Sequence, residues 1–323
     1  MTTTPLPPVY LTRVIPENGM ELLRTRCHLD VSPHDRVIRK EELLRAVREV
    51  EGLLCMLTDP VDADVIDAAP RLCVISSNAV GYNNIDVEAA RRRGIVVTNT
   101  PGVLTDATAD IAFALLLACA RRIAEGDRWM RTHTFDGWSP MQMLGLDLAG
   151  ATLGIVGAGR IGRAVAQRCR GAYGMRILYH GRRRNEDLEQ EMDAEFVSVE
   201  RLVREADYIS LHVPLTPDTH HMIGRAQFAE MKPHAVLVNT SRGPVVDETA
   251  LVEALAARRI FAAGLDVYEQ EPHVPGELLA LDNVVVLPHI GSASYTTRAR
   301  MAEMAARNLI DVLEGREPAH RVV

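Results

Sequence analysis

Three side chains suited to acid–base chemistry each come shortly after an apolar run that is typical of a β-strand: Arg242, Glu271 and His289. These runs alternate with helical patterns, which predicts parallel strands, and open α/β sheets bind ligands outside the carboxyl ends of such strands. We therefore expect a cation, a carboxylate and an imidazole to converge. Each residue alone has an ordinary structural explanation, as a loop salt bridge, a solvated acid or a strand-end cap, but their shared position favours a site.

This set of side chains suits the reduction of a 2-oxo acid. When hydride attacks the carbonyl carbon, negative charge builds on the carbonyl oxygen, and a protonated His289 could deliver a proton there. A neighbouring Glu271 would stabilise the protonated imidazole and orient its ring. Arg242 could hold the substrate carboxylate and polarise the carbonyl. Asp266, on the strand before Glu271, is expected near the cofactor.

A glycine-rich segment predicts the binding site of the hydride donor. The apolar run 152–156 leads into Gly157, Gly159 and Gly162, and a helical pattern follows. In a dinucleotide-binding unit the first glycine makes a tight turn, the second lets the backbone approach a pyrophosphate, and the third lets helix and strand pack closely. The N–H groups of the helix N-terminus favour the phosphates. The alternative is a glycine-rich turn that binds nothing.

Arginines stand where an NAD-binding unit usually has an acid. Such a unit carries Asp or Glu about 20 residues after the glycines, where it bonds the ribose hydroxyls. This chain instead has Arg182, Arg183 and Arg184 after a predicted strand over 176–180. Guanidinium groups attract a 2′-phosphate, whereas an acid repels it. We therefore predict NADPH as the preferred cofactor, held by Arg182 and Arg183, with NADH less favoured. The alternative is a solvated run of charges.

The elements that must position these residues follow from hydrophobic periodicity. Short β-branched runs and helical patterns alternate in two series, which predicts an α/β fold with parallel sheets. We predict strands over 9–11, 52–57, 72–76 and 95–97, with helices over 40–51 and 85–93. One long helix is expected over 105–131, an irregular segment over 130–146, a second βαβ series over 152–289 and a final helix over 294–314.

Composition excludes several classes of protein. The 323 residues are 47% hydrophobic and 24% charged, with a net charge of −7, which favours a folded protein and argues against nucleic acid as a partner. The longest apolar stretch, 111–120, is too short to span a membrane, and the N-terminus does not resemble a secretory signal. Five scattered cysteines without a CxxC favour a reducing compartment, the cytoplasm.

We predict no metal site. The adjacent His220 and His221 should point apart on a strand, and no third ligand is suitably spaced, so two solvated histidines are expected there.

Four segments together resemble one known family. Residues 157–162, 239–243, 264–272 and 288–291 look like the motifs of the D-isomer-specific 2-hydroxyacid dehydrogenases, and 80–86 resembles their substrate loop. The resemblance covers nearly the whole chain in order. Within the family it is most similar to the glyoxylate/hydroxypyruvate reductase B group, which includes 2-ketogluconate reductases, through 178–183 and 264–272.

The resemblance implies roles for particular residues. It implies Arg242, Glu271 and His289 as catalytic residues. It implies that the backbone N–H groups of Val80 and Gly81 bind the substrate carboxylate. Beyond the three glycines and two arginines, the expected cofactor contacts are Arg160, Ile161, Val213, Pro214, Thr219, Thr240, Ser241 and Asp266. The family usually has Asp where this chain has Asn83, but the proposed ligand there is backbone.

The resemblance also implies the architecture and the activity. Two Rossmann-like, doubly wound domains are expected: a discontinuous, flavodoxin-like substrate lid over 1–104 and 293–323, and an NAD(P)-binding domain over 105–292. The implied activity is NADPH-preferring reduction of glyoxylate or hydroxypyruvate, or of 2-ketogluconate, to D-2-hydroxy acids. A homodimer is the family habit, and Trp129, Phe135 and Trp138 would fit an arm on the partner or an intrachain cluster.

Other functions remain open at this stage. A phosphite-type dehydrogenase also uses an arginine, a glutamate and a histidine. A formate dehydrogenase would carry glutamine at position 271, and a phosphoglycerate type often has a further domain, for which the 34 residues after His289 leave no room. A non-catalytic, cofactor-sensing binding protein of the same fold is the alternative from another class.

Overall fold

Two parallel β-sheets contain the twelve strands of the computed structural model, which describes residues 5–323. Each sheet belongs to its own compact unit. The first unit combines the residues up to Leu104 with Ser292–Val323, and the second is Thr105–Gly291. The fold is therefore α/β with two parallel-sheet domains.

The strands are β1 Pro8–Leu11, β2 His28–Val31, β3 Gly52–Cys55, β4 Val74–Ser77, β5 Val96–Thr98, β6 Thr152–Val156, β7 Arg176–His180, β8 Glu195–Phe196, β9 Tyr208–Leu211, β10 Val236–Asn239, β11 Ala262–Leu265 and β12 Val284–Val286. The helices are α1 Glu17–Arg26, α2 Lys40–Ala46, α3 Ala63–Asp67, α4 Val87–Arg92, α5 Thr105–Ala120, α6 Ile123–Arg131, α7 Arg160–Tyr173, α8 Glu186–Met192, α9 Val199–Glu205, α10 Arg225–Glu230, α11 Glu248–Ala256, α12 Gly276–Leu279 and α13 Tyr295–Leu313, with one 3₁₀ turn at Gly243–Val245.

The first unit has the flavodoxin-like strand order β2-β1-β3-β4-β5. The C-terminal helix α13 completes its core by packing on α1 and β4. The two helices approach closely because α1 carries Gly19, where a Cβ would lie 2.9 Å from the Ala302 backbone. Ser294 accepts a hydrogen bond from the Thr297 N–H and so caps α13 at its predicted start.

The second unit has the order β12-β11-β10-β9-β6-β7-β8. Strands β7 and β8 are added on one side of β6, and β9 to β12 are added on the other, so the strand order reverses between β6 and β9. Both faces of this sheet are covered. Along β10, Leu237 packs into one hydrophobic cluster and its neighbours Val236 and Val238 pack into the other. This Rossmann-like arrangement places a binding crevice outside the carboxyl ends of the strands near the reversal.

The single long helix predicted over 105–131 is wrong, because α5 ends at Ala120 and α6 begins at Ile123. Arg122 has a left-handed φ of 54° between them. The returning chain donates the Leu146 N–H to the Ala120 carbonyl at 2.8 Å, so a contact from a distant segment lies at the point where α5 ends. The predicted helix over 40–51 likewise ends early, at Ala46. Strand β2 has no counterpart among the predicted strands.

Two further predictions concern the chain as a whole. No helix among the described residues is long and apolar enough to cross a lipid bilayer. All five cysteines are free thiols, and Cys73 is the exposed one.

At the amino ends of the strands of the second sheet, opposite the binding crevice, one carboxylate joins three segments of chain. Asp207 accepts hydrogen bonds from the Thr152 N–H at 2.8 Å, Lys232 Nζ at 2.7 Å and His234 Nε2 at 2.9 Å. Burial alone would raise the pKa of Asp207, but the Lys232 ammonium and the other donors outweigh it and hold the pKa below its usual value.

We expect Asp207→Asn to lower the free energy of unfolding by about 1.5–3 kcal/mol at pH 7, the range for hydrogen bonds to a charged group. A depressed carboxyl pKa contributes stability that is present above the unfolded value, about 3.9, and is lost as the pH falls through the folded value. Urea unfolding at pH 7 and below pH 4 should show the two proteins converging in acid. An equal difference at both pH values would contradict this, and the exposed Asp67 provides a control through Asp67→Asn.

Candidate active site

A glutamate and a histidine are in direct contact at the carboxyl edge of the second sheet. Glu271 Oε2 lies 2.7 Å from His289 Nδ1, and Glu271 Oε1 accepts the Tyr268 N–H at 3.0 Å. Both side chains are about a quarter exposed. The carboxylate fixes a proton on Nδ1, which orients the ring and directs Nε2 away from the pair. Nε2 has no hydrogen-bond partner within residues 5–323.

The charge on Glu271 is maintained by its neighbours. Burial opposes ionisation, but the hydrogen bond from His289 and the positive charge of Arg242 hold the pKa of Glu271 below its usual value. Burial lowers the pKa of Arg242, and the charge of Glu271 opposes that shift. The arginine remains a cation at neutral pH, because guanidinium groups are effectively always protonated. The carboxylate that holds the imidazole is thus itself influenced by a nearby cation.

A second carboxylate positions the loop that carries the histidine. Asp266 is 1% exposed, and its two oxygens accept the N–H groups of Ile290 at 2.7 Å and Gly291 at 2.6 Å. Burial raises the pKa of Asp266 despite these hydrogen bonds and the neighbouring imidazole. His289 itself has a left-handed φ of 55°. Asp266, predicted near the cofactor, therefore lies buried beneath the turn of His289 and fixes that turn.

Arg242 is held by a turn that begins at the end of β10. The Asn239 side chain accepts the Ser241 N–H at 3.0 Å and the Ser241 hydroxyl at 2.8 Å, and donates to the Arg242 carbonyl at 2.9 Å. Arg242 also donates to the Ser241 carbonyl at 2.6 Å. At Gly243 a Cβ would lie 1.8 Å from the Tyr268 oxygen, so only glycine lets this turn touch the chain leading to Glu271.

The register of the sheet explains why the three side chains lie together. Strands β10, β11 and β12 are parallel neighbours, and Leu265 pairs with both Asn239 and Val286. The three strands therefore end at one edge, where Arg242, Glu271 and His289 follow them. Asn239 belongs to the sequence motif 239–243, but the sequence did not reveal that its side chain holds the turn of Arg242. That role depends on the conformation of the turn.

The three positions of the glycine fingerprint differ in whether the protein's own structure requires glycine there. Gly157 has a φ of 99°, and a Cβ there would lie 2.6 Å from the His212 backbone. At Gly162 a Cβ would lie 2.2 Å from the Gly157 oxygen, which would separate α7 from the turn. At Gly159 a Cβ would meet no atom of the chain within 4 Å. Protein packing thus requires the outer two glycines, whereas the space beside the middle one is open to a ligand at the N-terminus of α7.

Other predicted cofactor residues follow this turn or follow the carboxyl ends of strands in the same sheet. Arg160 and Ile161 form the first turn of α7, and Val213 and Pro214 follow β9. The Thr240 hydroxyl, at the end of β10, is buried and has no hydrogen-bond partner within residues 5–323. A buried hydroxyl without a partner and an open glycine turn both fit a polar dinucleotide.

Two predicted cofactor hydroxyls are engaged within the protein itself. Thr219 Oγ1 donates to the Pro214 carbonyl at 2.7 Å and accepts the Thr216 N–H at 2.8 Å, which closes the loop after β9. The Ser241 hydroxyl donates to Asn239. Desolvation lowers the pKa of His212, which precedes this loop, to about 3, so its ring is neutral. These contacts shape the loops beside the glycine turn.

The arginine run lies in the loop between β7 and α8. Arg182 and Arg183 are exposed, and neither forms an ion pair with a described residue, whereas Arg184 pairs with Glu189 at 2.6 Å. Asn185 caps α8 and donates to the Ala158 carbonyl at 2.9 Å, which ties this loop to the glycine turn. Sequence reasoning missed Asn185, although an asparagine just before two acids is a helix-capping signal.

Val80 and Gly81 lie in the first unit, after β4. The Val80 carbonyl accepts the Asn99 side chain at 2.8 Å, and Thr100 N–H donates to the Ala79 carbonyl at 2.9 Å. Within the described chain, no group accepts a hydrogen bond from the N–H of Val80 or Gly81. Two adjacent N–H groups without partners suit an anion.

The premise for rejecting a metal at His220 and His221 is wrong. The two residues lie in a turn rather than on a strand, and their rings stack with centroids 4.0 Å apart and planes inclined by 28°. Glu269 supplies the third ligand type, with Oε1 2.6 Å from His221 Nε2. A turn brings neighbouring side chains to one side, whereas a strand alternates them.

Comparisons with known proteins find similar sequences and structures that cover most of the chain. Residues 113–291 match the family described as D-isomer specific 2-hydroxyacid dehydrogenase, NAD binding domain. A glyoxylate reductase of Korarchaeum cryptofilum is 52% identical over 98% of this chain and 96% of its own. A crystal structure of a Thermus thermophilus protein superposes with a TM-score of 0.91 at 50% identity, covering 98% and 99% of the two chains.

A further solved structure carries ligands. It is the NADPH-dependent glyoxylate/hydroxypyruvate reductase of Sinorhizobium meliloti in complex with NADP and malonate. It is 34% identical, with a TM-score of 0.86 over 98% of this chain and 97% of that one. By its family match, its relatives and its fold, the chain belongs to the D-isomer specific 2-hydroxyacid dehydrogenases, a family of NAD(P)-dependent oxidoreductases.

Proposed function

We propose that this protein is an NADPH-preferring reductase of small 2-oxo acids, with glyoxylate and hydroxypyruvate as the first candidates and 2-ketogluconate as a larger one. The observation that carries the proposal is the contact between Glu271 and His289 beside the cation of Arg242. The relatives named glyoxylate reductase support the substrate class. The products would be the D-2-hydroxy acids.

The reaction divides among the three side chains. His289 donates a proton from Nε2 to the carbonyl oxygen as negative charge develops there. Glu271 holds the ring through Nδ1 and balances its positive charge. Arg242 bonds the substrate carboxylate and polarises the carbonyl, for which its forked donors are suited. The reduced nicotinamide, when bound, supplies the hydride.

We propose that residues 105–292 bind the cofactor and that the domain of residues 1–104 and 293–323 supplies further donors to the substrate carboxylate, in addition to Arg242. Gly159, the first turn of α7, the loop after β9 and the Thr240 hydroxyl would hold the dinucleotide. The unpaired N–H groups of Val80 and Gly81 would bind the substrate carboxylate. Arg182 and Arg183 would bind the 2′-phosphate, because they lie beside the glycine turn without an acidic partner.

We also propose a homodimer in the cytoplasm. The irregular segment after α6 exposes large apolar side chains, including Trp138 at 82% and Met141 at 75%. Trp129 and Phe135 form an edge-to-face pair at its start, with ring centroids 5.6 Å apart. An exposed apolar segment of this kind suits burial against a second copy. Five free thiols fit a reducing compartment.

The open glycine provides a test of dinucleotide binding. Gly159→Ala should leave the melting temperature unchanged but weaken NADPH binding about tenfold or more, since an added methyl group would occupy the space of the pyrophosphate. NADPH titration by fluorescence measures the effect. Gly171→Ala, on the exposed side of the same helix, also meets no atom within 4 Å and serves as the matched control. If the parent protein, Gly159→Ala and Gly171→Ala bind NADPH with equal affinity, the dinucleotide does not bind at this turn.

The two exposed arginines provide a test of cofactor choice. Arg182→Ser and Arg183→Ser should each lower kcat/KM for NADPH by about 10–100-fold, because a charge-assisted hydrogen bond to the 2′-phosphate is lost, while kcat/KM for NADH changes little. Steady-state rates with both cofactors provide the comparison. Arg184→Ser is the control, since Arg184 is already paired with Glu189. A parallel loss with NADH would show that these arginines do not select the phosphate.

Substitution of His289 tests its role as the proton donor. His289→Asn should lower kcat for glyoxylate by about 10²–10⁴-fold, the usual effect of losing a general acid, while the Kd of NADPH stays the same. Glu271→Gln should also lower kcat strongly, because a neutral amide cannot balance the charge of the protonated imidazole and its NH₂ group can favour the other tautomer of the ring. Stopped-flow oxidation of NADPH measures the chemical step. Full turnover in the His289 variant would refute the assignment.

A further inference from the structure

Three metal-binding side chains meet on the surface of the second unit, outside the catalytic set. One ring nitrogen each of His220 and His221 and a carboxylate oxygen of Glu269 all lie within 4.8 Å of one another. Each of these side chains is at least partly exposed. The reaction proposed above uses none of the three.

The surrounding chain holds the three residues in place. His221 has a left-handed φ of 50° and donates its N–H to the Pro244 carbonyl at 2.8 Å, which fixes the turn that stacks the two rings. The Glu269 carboxylate accepts the Glu248 N–H at 3.4 Å, and the Glu269 N–H donates to the Glu248 carboxylate at 3.3 Å. The third ligand therefore has a fixed position as well.

The surface beside Glu269 is acidic. A cavity of about 410 Å³ is lined by Glu248, Glu253, Glu269 and Glu277, together with His273. Of these acids, Glu253 is paired with Arg225. The remaining carboxylates give this surface a negative potential, which concentrates cations next to the two imidazoles.

We propose that His220, His221 and Glu269 form a binding site for a divalent transition metal ion, with Zn²⁺ as the leading candidate. Two imidazoles and a carboxylate are a common three-residue donor set for Zn²⁺, and water completes the tetrahedron. Nitrogen donors favour Zn²⁺, Ni²⁺ and Cu²⁺ over Mg²⁺ and Ca²⁺, which take oxygen ligands.

Binding requires only a small adjustment. Zn–N and Zn–O bonds of about 2.0–2.1 Å at tetrahedral angles place donor atoms roughly 3.3 Å apart. His221 Nε2 and Glu269 Oε1 are now 2.6 Å apart and share a hydrogen, so the metal would replace that hydrogen as the pair separates slightly. His220 is exposed and can rotate to complete the set.

The site would join two loops that flank the catalytic residues. His220 and His221 lie in the loop between β9 and α10, and Glu269 lies in the segment that leads to Glu271. Glu271 bonds to the Tyr268 N–H and to His289, so it is not a candidate ligand. A metal here would therefore brace both loops without entering the reaction.

Calorimetric titration with ZnCl₂ tests the proposal. The protein should be untagged, full-length and stripped with a chelator, and it should carry Cys73→Ser so that the exposed thiol cannot bind metal. We expect one Zn²⁺ per chain with a Kd below about 100 µM. His220→Asn and Glu269→Gln should each weaken binding at least about tenfold, the least expected when a ligand is lost.

His34→Ala removes an exposed histidine elsewhere and should leave Zn²⁺ binding unchanged. Circular dichroism shows whether each variant is folded. Because the experiment measures metal binding, its outcome does not depend on the proposed reductase activity. The proposal is overturned if the Cys73→Ser protein takes up no stoichiometric Zn²⁺ below about 100 µM. It is equally overturned if the folded His220→Asn or Glu269→Gln protein binds Zn²⁺ as well as its parent.

Discussion

The hydrogen bond between Glu271 and His289 is the interaction on which the proposed chemistry depends. At 2.7 Å it fixes the imidazole with Nε2 directed away from the carboxylate. Each partner is in turn fixed by backbone: Glu271 by the Tyr268 N–H, and the loop of His289 by the two oxygens of buried Asp266. The imidazole therefore does not have to be ordered at the moment of reaction, which is what preorganisation contributes to catalysis.

Parallel strand pairing explains how residues far apart in sequence reach this pair. Strands β10, β11 and β12 end at one edge, and the turns after them carry Arg242, Glu271 and His289. Strand β6 ends on the same side of the sheet, and the glycine turn follows it. Of the three glycines in this turn, only Gly159 has no protein atom within 4 Å of a Cβ placed there. The opposite edge, held by Asp207, contributes stability instead. Because these two groups of residues lie at opposite ends of the strands, substitutions of Asp207 test stability and substitutions of the proposed catalytic residues test activity separately.

Local and repetitive signals made much of this structure predictable. The roles of Gly157 and Gly162 follow from their spacing, because the fingerprint implies one turn and one close contact, and both are present. The break in the helix predicted over 105–131 was not predictable from local periodicity, since it coincides with a hydrogen bond from the distant Leu146 N–H to the Ala120 carbonyl. The stacking of His220 and His221 was missed for a similar reason: the turn conformation and Glu269, 48 residues after His221, are tertiary features.

A crystal structure of the protein with NADP and oxamate, an unreactive analogue of a 2-oxo acid, tests the central claim most directly. The account predicts oxamate with its carbonyl oxygen about 2.6–3.2 Å from His289 Nε2, and its carboxylate bonded to Arg242. The NADP pyrophosphate should lie against Gly159. Oxamate bound away from His289, or NADP bound away from residues 157–162, would contradict the account.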